Sequence, residues 1–147
     1  MDPFCASVGE RGYRSTIQAL LAQVEEELGN PEAAQGAIQL SDELSAAEDV
    51  LNFAITHGVR ARLALADGDA KASERWARSA VHYAFVTDFP QTQGQAKLGL
   101  AHVLKDLGRA AEATVEAQAA LDLFTAKGDR PGAEQARALL DTLSIRT

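Results

Sequence analysis

The chain has 147 residues, of which 46% are apolar but only 5% aromatic, and its formal net charge is −7. That length supports one domain with a buried core, and the scarcity of aromatic and β-branched runs argues against a sheet. An acidic chain without a basic stripe neutralises no phosphates, and no apolar run reaches the length of a membrane span, so nucleic acid and membrane are excluded as partners.

Residues 1–13, which open Met1-Asp2-Pro3-Phe4, read as a disordered or appended N-terminus outside the fold. They hold the single cysteine, Cys5, which rules out an internal disulfide, fits a reducing compartment and has no neighbouring base to make it a nucleophile. No charged-then-apolar leader precedes residue 14, and a cytoplasmic location is expected. The first helix is predicted over about 15–28, with Ile17, Leu20, Leu21, Val24 and Leu28 on one face, turned toward the second helix. Gly29 ends it, and Asn30 as N-cap with Pro31 at the first helical position starts the next. Ser45-Ala46-Ala47-Glu48 has the spacing of a capping box and predicts a third helix to about residue 66. A fourth follows over about 70–87. Asp88-Phe89-Pro90 and Asp129-Arg130-Pro131 share a pattern that opens the fifth and seventh helices, and the sixth ends at Gly128.

These elements repeat. Gly29, Gly68 and Gly108 lie 39 and 40 residues apart, each ending one amphipathic segment where a left-handed residue is wanted. An alanine stands seven residues before each glycine: Ala22, Ala61 and Ala101. After the glycines, Asn30-Pro31-Glu32-Ala33-Ala34, Asp69-Ala70-Lys71-Ala72-Ser73 and Arg109-Ala110-Ala111-Glu112-Ala113 align, and Gln95-Ala96-Lys97 returns as Gln135-Ala136-Arg137. The expected fold is an all-α, right-handed α-solenoid over residues 14–147, with repeats at about 14–44, 45–87 and 88–128 and a final helix at 129–143. Its seven helices form three pairs and one extra, each pair burying its apolar face on the next.

The pattern resembles the tetratricopeptide repeat, which places small residues where the two helices of a pair cross. Ala22, Ala61 and Ala101 match the small position of the first helix; Ala34, Ser73 and Ala113 match the one early in the second, and Ser41, Ala80 and Ala120 the one near its end. The period is about six residues longer than the commonest form of that repeat, Arg60 stands where a large apolar residue is usual, and the family's aromatic positions are unfilled. A narrower likeness joins 15–22, Arg60-Ala61-Arg62-Leu63-Ala64-Leu65-Ala66 and Ala120-Leu121-Asp122-Leu123-Phe124 to the repeats that close bacterial multidomain signalling ATPases. That resemblance implies a sensor or scaffold segment. No phosphate-binding loop is present, so neither ATP hydrolysis nor nucleotide cyclisation is carried over.

Superposing the repeats points Gln23, Arg62 and His102, then Glu26, Leu65 and Lys105, into a concave groove. Arg62, His102 and Lys105 there suit an acidic peptide or a carboxylate, with solvated groove polarity as the plainer reading. Arg60 needs a carboxylate partner if buried, with Glu25, Glu48 and Asp49 as candidates. His57, His82 and His102 never fall four apart and lie near no cysteine, so no metal site is expected. Trp76 and Tyr83 read as packing between repeats. No catalytic or cofactor-binding set emerges. The expected role is a non-catalytic interaction or regulatory module, probing a protein, a peptide or other domains of its own chain. A free-standing peptide-binding adaptor and a small-molecule sensor are the alternatives. A weak homodimer through the N-terminal repeat is also expected, opposed by the acidic run Glu25–Glu27.

Overall fold

The computed structural model describes residues 3–145, with side chains from Glu10 onward, so the Cys5 thiol lies outside the described residues. Seven helices occupy them: α1 (Pro3–Glu27), α2 (Pro31–Leu44), α3 (Val50–Ala66), α4 (Ala70–Ala84), α5 (Pro90–Asp106), α6 (Ala110–Lys127) and α7 (Arg130–Ile145). No strand occurs among the described residues.

The turns follow from the glycines. Gly29, Gly68, Gly108 and Gly128 have φ of 77–80°, which only a residue without Cβ adopts at little cost. At the first, the Asn30 N–H donates to the Glu25 carbonyl at 2.8 Å and the Gly29 N–H to Glu26 at 3.0 Å. This pairing satisfies carbonyls that the helix end would otherwise strand. It recurs from Asp69 to Ala64, Arg109 to Leu104 and Asp129 to Phe124, each at 2.9 Å. Asp69 adds a side-chain cap, accepting from the Ala72 N–H at 3.0 Å.

Three boundaries differ from expectation. Helix α1 begins at Pro3, so residues 3–13 continue the first helix rather than preceding it. The Ser45–Glu48 capping box does not form: Ser45 caps the C-terminus of α2, and α3 starts only at Val50. Asp49 instead accepts from the Ala46 N–H at 2.7 Å, closing a turn ahead of α3. Helix α4 stops at Ala84, where the Thr87 hydroxyl reaches back to the Ala84 carbonyl at 2.6 Å.

The helices stack as antiparallel pairs, α1 on α2, α3 on α4 and α5 on α6, with α7 on α6. Helices α1, α3, α5 and α7 touch in sequence, as a solenoid requires. All nine small positions of the superposed repeats are buried. The two serines among them fasten a crossing as well, Ser73 Oγ donating to the Ala61 carbonyl and Ser41 Oγ to Ser15, both at 2.9 Å.

Helix α1 departs from its expected orientation. Ser15, Ala19 and Ala22 are fully buried, while Ile17, Leu20, Leu21, Val24 and Leu28 are 41–69% exposed. The apolar stripe points away from α2, because a close crossing selects the small residues on the opposite face. The N-terminal pair consequently shares with α3 a modest core of Ala22, Ala34, Ala37, Ile38, Val59 and Leu63. A buried polar network supplements it: Asn52 Nδ2 donates to Ser15 Oγ at 2.8 Å and Ser45 Oγ at 3.0 Å, and Thr16 donates to Asn52 Oδ1 at 2.9 Å. The larger core spans α3 to α7 around a fully buried Phe124.

Candidate groove on the concave face

Where α1, α3 and α5 lie side by side, small residues leave a cavity of about 200 Å³. Its floor is Ala54, Gly58, Ala61, Ala77, Ala80, Ala96 and Gly99, and Leu20, Ile55 and Leu100 add apolar walls. Gln23, Arg62, Gln91, Thr92 and Gln95 supply its polar atoms. Arg62 is already engaged, its Nε donating to Glu26 Oε2 at 2.7 Å, and the Gln91 amide donates to Asp129 at 3.2 Å. Gln23 and Gln95 make no side-chain hydrogen bond within the described residues, so their amides face the groove unspent.

The six groove residues inferred from the repeats divide, and Leu65 packs against the larger core instead of lining the cavity. Gln23 and Arg62 line the cavity and Glu26 neutralises Arg62, while His102 and Lys105 lie outside the lining. Partial burial of its ring, then the positive charges of Lys105 and Arg62 against the opposing Asp106, lowers the pKa of His102 and keeps it uncharged at neutral pH. Lys105 sits 3.7 Å from the Asp106 carboxylate. The cationic triad is thus an ion pair, a neutral imidazole and a lysine beside an acid. Ile55 and Gln95, which precede Arg62 and His102 by seven residues, belong to the same face two turns earlier. Extending the superposed rows by that step finds them. Gly58 and Gly99 leave a subtler signal, a helical glycine with no turn to make.

Arg60 has its carboxylate, but it is Asp42 at 2.6 Å rather than Glu25, Glu48 or Asp49. Its guanidinium also lies 5.0 Å from the centre of the Trp76 ring. The ring contacts of Trp76 and Tyr83 fall within the α3–α4 pair, and Trp76 also packs against the larger core. His57 stands between them with ring centres at 4.8 and 5.2 Å, and Phe53 is 5.3 Å from Tyr83. Burial, reinforced by Arg60, pulls the His57 pKa down to about 4, and its Nδ1 shares a 2.7 Å hydrogen bond with Ser79 Oγ. Arg109 ties α6 to α4, bonding Glu74 at 2.6 Å and also Glu112, and these bonds lower both carboxyl pKa values.

Among the described residues no cluster of three or more His, Cys, Asp or Glu is placed to hold a metal, and no helix is long and apolar enough to cross a membrane. Compared with family models, curated proteins and solved structures, the chain matches none.

Proposed function

We propose that the chain is a non-catalytic interaction module of the tetratricopeptide type, whose concave groove takes an extended peptide anchored by one apolar side chain. The observation that carries this reading is the cavity itself: an alanine and glycine floor with the unspent amides of Gln23 and Gln95 at its edge. An amide offers both donor and acceptor, which matches the alternating N–H and C=O of a peptide backbone. At about 200 Å³ the space suits a leucine-sized side chain and falls below the roughly 300–1,000 Å³ of small-molecule sites. The neutralised Arg62 and uncharged His102 favour a neutral segment over the acidic one inferred from sequence. The likeness to repeats that close bacterial signalling ATPases supports a regulatory role in the cytoplasm, as a segment of a larger protein.

Capped peptides with a central Leu, Ala or Glu, titrated by fluorescence anisotropy, test the reading. The Leu peptide should bind best. Gly99→Leu should abolish that binding with the fold intact, because a Cβ at Gly99 meets nothing within 4 Å and the longer side chain enters the cavity. Binding that ignores the central residue, or survives Gly99→Leu, contradicts it.

A further inference from the structure

The largest exposed apolar stripe is the outer face of α1, which borders the groove at Leu20. Tyr13, Ile17, Leu20, Leu21, Val24 and Leu28 occupy about 100° of the helix surface, opposite the buried Ser15, Ala19 and Ala22. In repeat register Tyr13, Ile17, Leu20 and Val24 match Asn52, Thr56, Val59 and Leu63, all buried where α3 packs on α1 and α2, while Leu21 and Leu28 match the unburied Arg60 and Asp67. Helix α1 therefore displays the face that α3 uses for docking, and displays it in bulkier form. Tyr13 stands in place of Asn52, and Ile17 in place of Thr56.

We propose that this face pairs with a second copy of the chain, α1 antiparallel to α1, about a two-fold axis passing between Leu20 and Leu21. The stripe is its own complement. Reversal about that point sets Tyr13 level with Leu28 and Ile17 with Val24, while Leu20 and Leu21, at the two edges of the stripe, each meet their own counterpart across the axis, so each of the six meets a side chain of the stripe. An isologous contact requires this self-complementarity; a face made for an unrelated helix does not.

Charge agrees with the same register. Arg14 and Glu25 flank the same edge of the stripe, and reversal brings Arg14 of each copy alongside Glu25 of the other, within one helical turn. Arg14 is exposed and has no ion pair among the described residues, while the Glu25 carboxylate accepts only the Asn30 amide, at 2.8 Å. The acidic run does not act as one repulsive block. Glu26 turns inward to Arg62, and Glu25 and Glu27 point to opposite edges. The six side chains offer roughly 600 Å² per copy, about 1,200 Å² for the pair, at the lower limit of specific interfaces. The resulting dimer is reversible and concentration-dependent.

Sedimentation equilibrium of the full chain from micromolar to millimolar concentration, with circular dichroism on every variant, tests the proposal. Wild type should shift from monomer to dimer across that range. Ile17→Glu with Val24→Glu should remain monomeric and helical, since these side chains contribute little to the monomer core; Leu20 is avoided because it also lines the groove. Arg14→Glu or Glu25→Arg alone should weaken association about tenfold, as like charges replace two pairs, and the two together should restore it. A strictly monomeric wild type overturns the proposal. So does a dimer indifferent to Ile17 and Val24, or a charge swap that fails to rescue.

Discussion

Phe124 is held between two glycines. A Cβ added at Gly94 would lie 2.7 Å from its ring, and one at Gly132 would lie 2.6 Å away. Both glycines sit inside helices, where propensity alone would favour alanine. Gly94→Ala and Gly132→Ala should therefore each cost about 1–3 kcal/mol in urea unfolding through overpacking. Gly99→Ala, with open space around it, should be neutral or stabilising by up to about 1 kcal/mol. Similar effects at all three sites would contradict this packing. His57 gives a residue-scale pH dependence. Its folded pKa of about 4 lies below the ordinary 6.5, so the unfolded chain binds the extra proton first. Its stabilising contribution is present above pH 6.5 and is lost as pH falls toward 4. His57→Phe keeps a ring but cannot be protonated, and should flatten the stability profile in that window. An unchanged slope would place the dependence elsewhere.

At the scale of the helix, the crossing alanines decide orientation. Ala61→Leu and Ala101→Leu should each destabilise by roughly 1–3 kcal/mol, because bulk enters a close crossing, whereas Ala111→Leu on the exposed side of α6 should be nearly neutral. Comparable melting temperatures for all three would mean the register is wrong. These positions were readable in the sequence because a small residue and a left-handed glycine leave local signatures that recur every 39 or 40 residues. The face of α1 was misread because an apolar stripe is ordinarily assigned to the core. Ala22 already pointed the other way, since it lies on the side of the helix opposite Ile17 and Val24. The capping box at Ser45 failed for a related reason: the Ser45 hydroxyl accepts from buried Asn52, a contact that no local pattern announces. Arg60 was expected to find an acid, but Asp42 lies on the neighbouring α2, so only the packed helices identify it.

Across the whole molecule, stability is distributed unevenly. The α3–α7 core is continuous and centred on Phe124, whereas the α1–α2 pair rests on a few alanines, Ile38 and the Asn52 network. Hydrogen exchange on dilute protein should show α1 and α2 opening before α5 and α6, and uniform protection would contradict that division. The groove bridges the two regions, with Leu20 and Gln23 from α1 and Gly99 and Leu100 from α5 around one cavity. A ligand bound there would fix the looser pair against the firmer one. Whether this cavity anchors an apolar side chain of an extended peptide is tested most directly by a heteronuclear NMR titration with the leucine-centred peptide. Shifts should concentrate at Gln23, Gly58, Arg62, Gln95 and Gly99, with α2 and the outer face of α6 unchanged; shifts centred on those outer helices, or none at saturating peptide, would contradict peptide anchoring in this cavity.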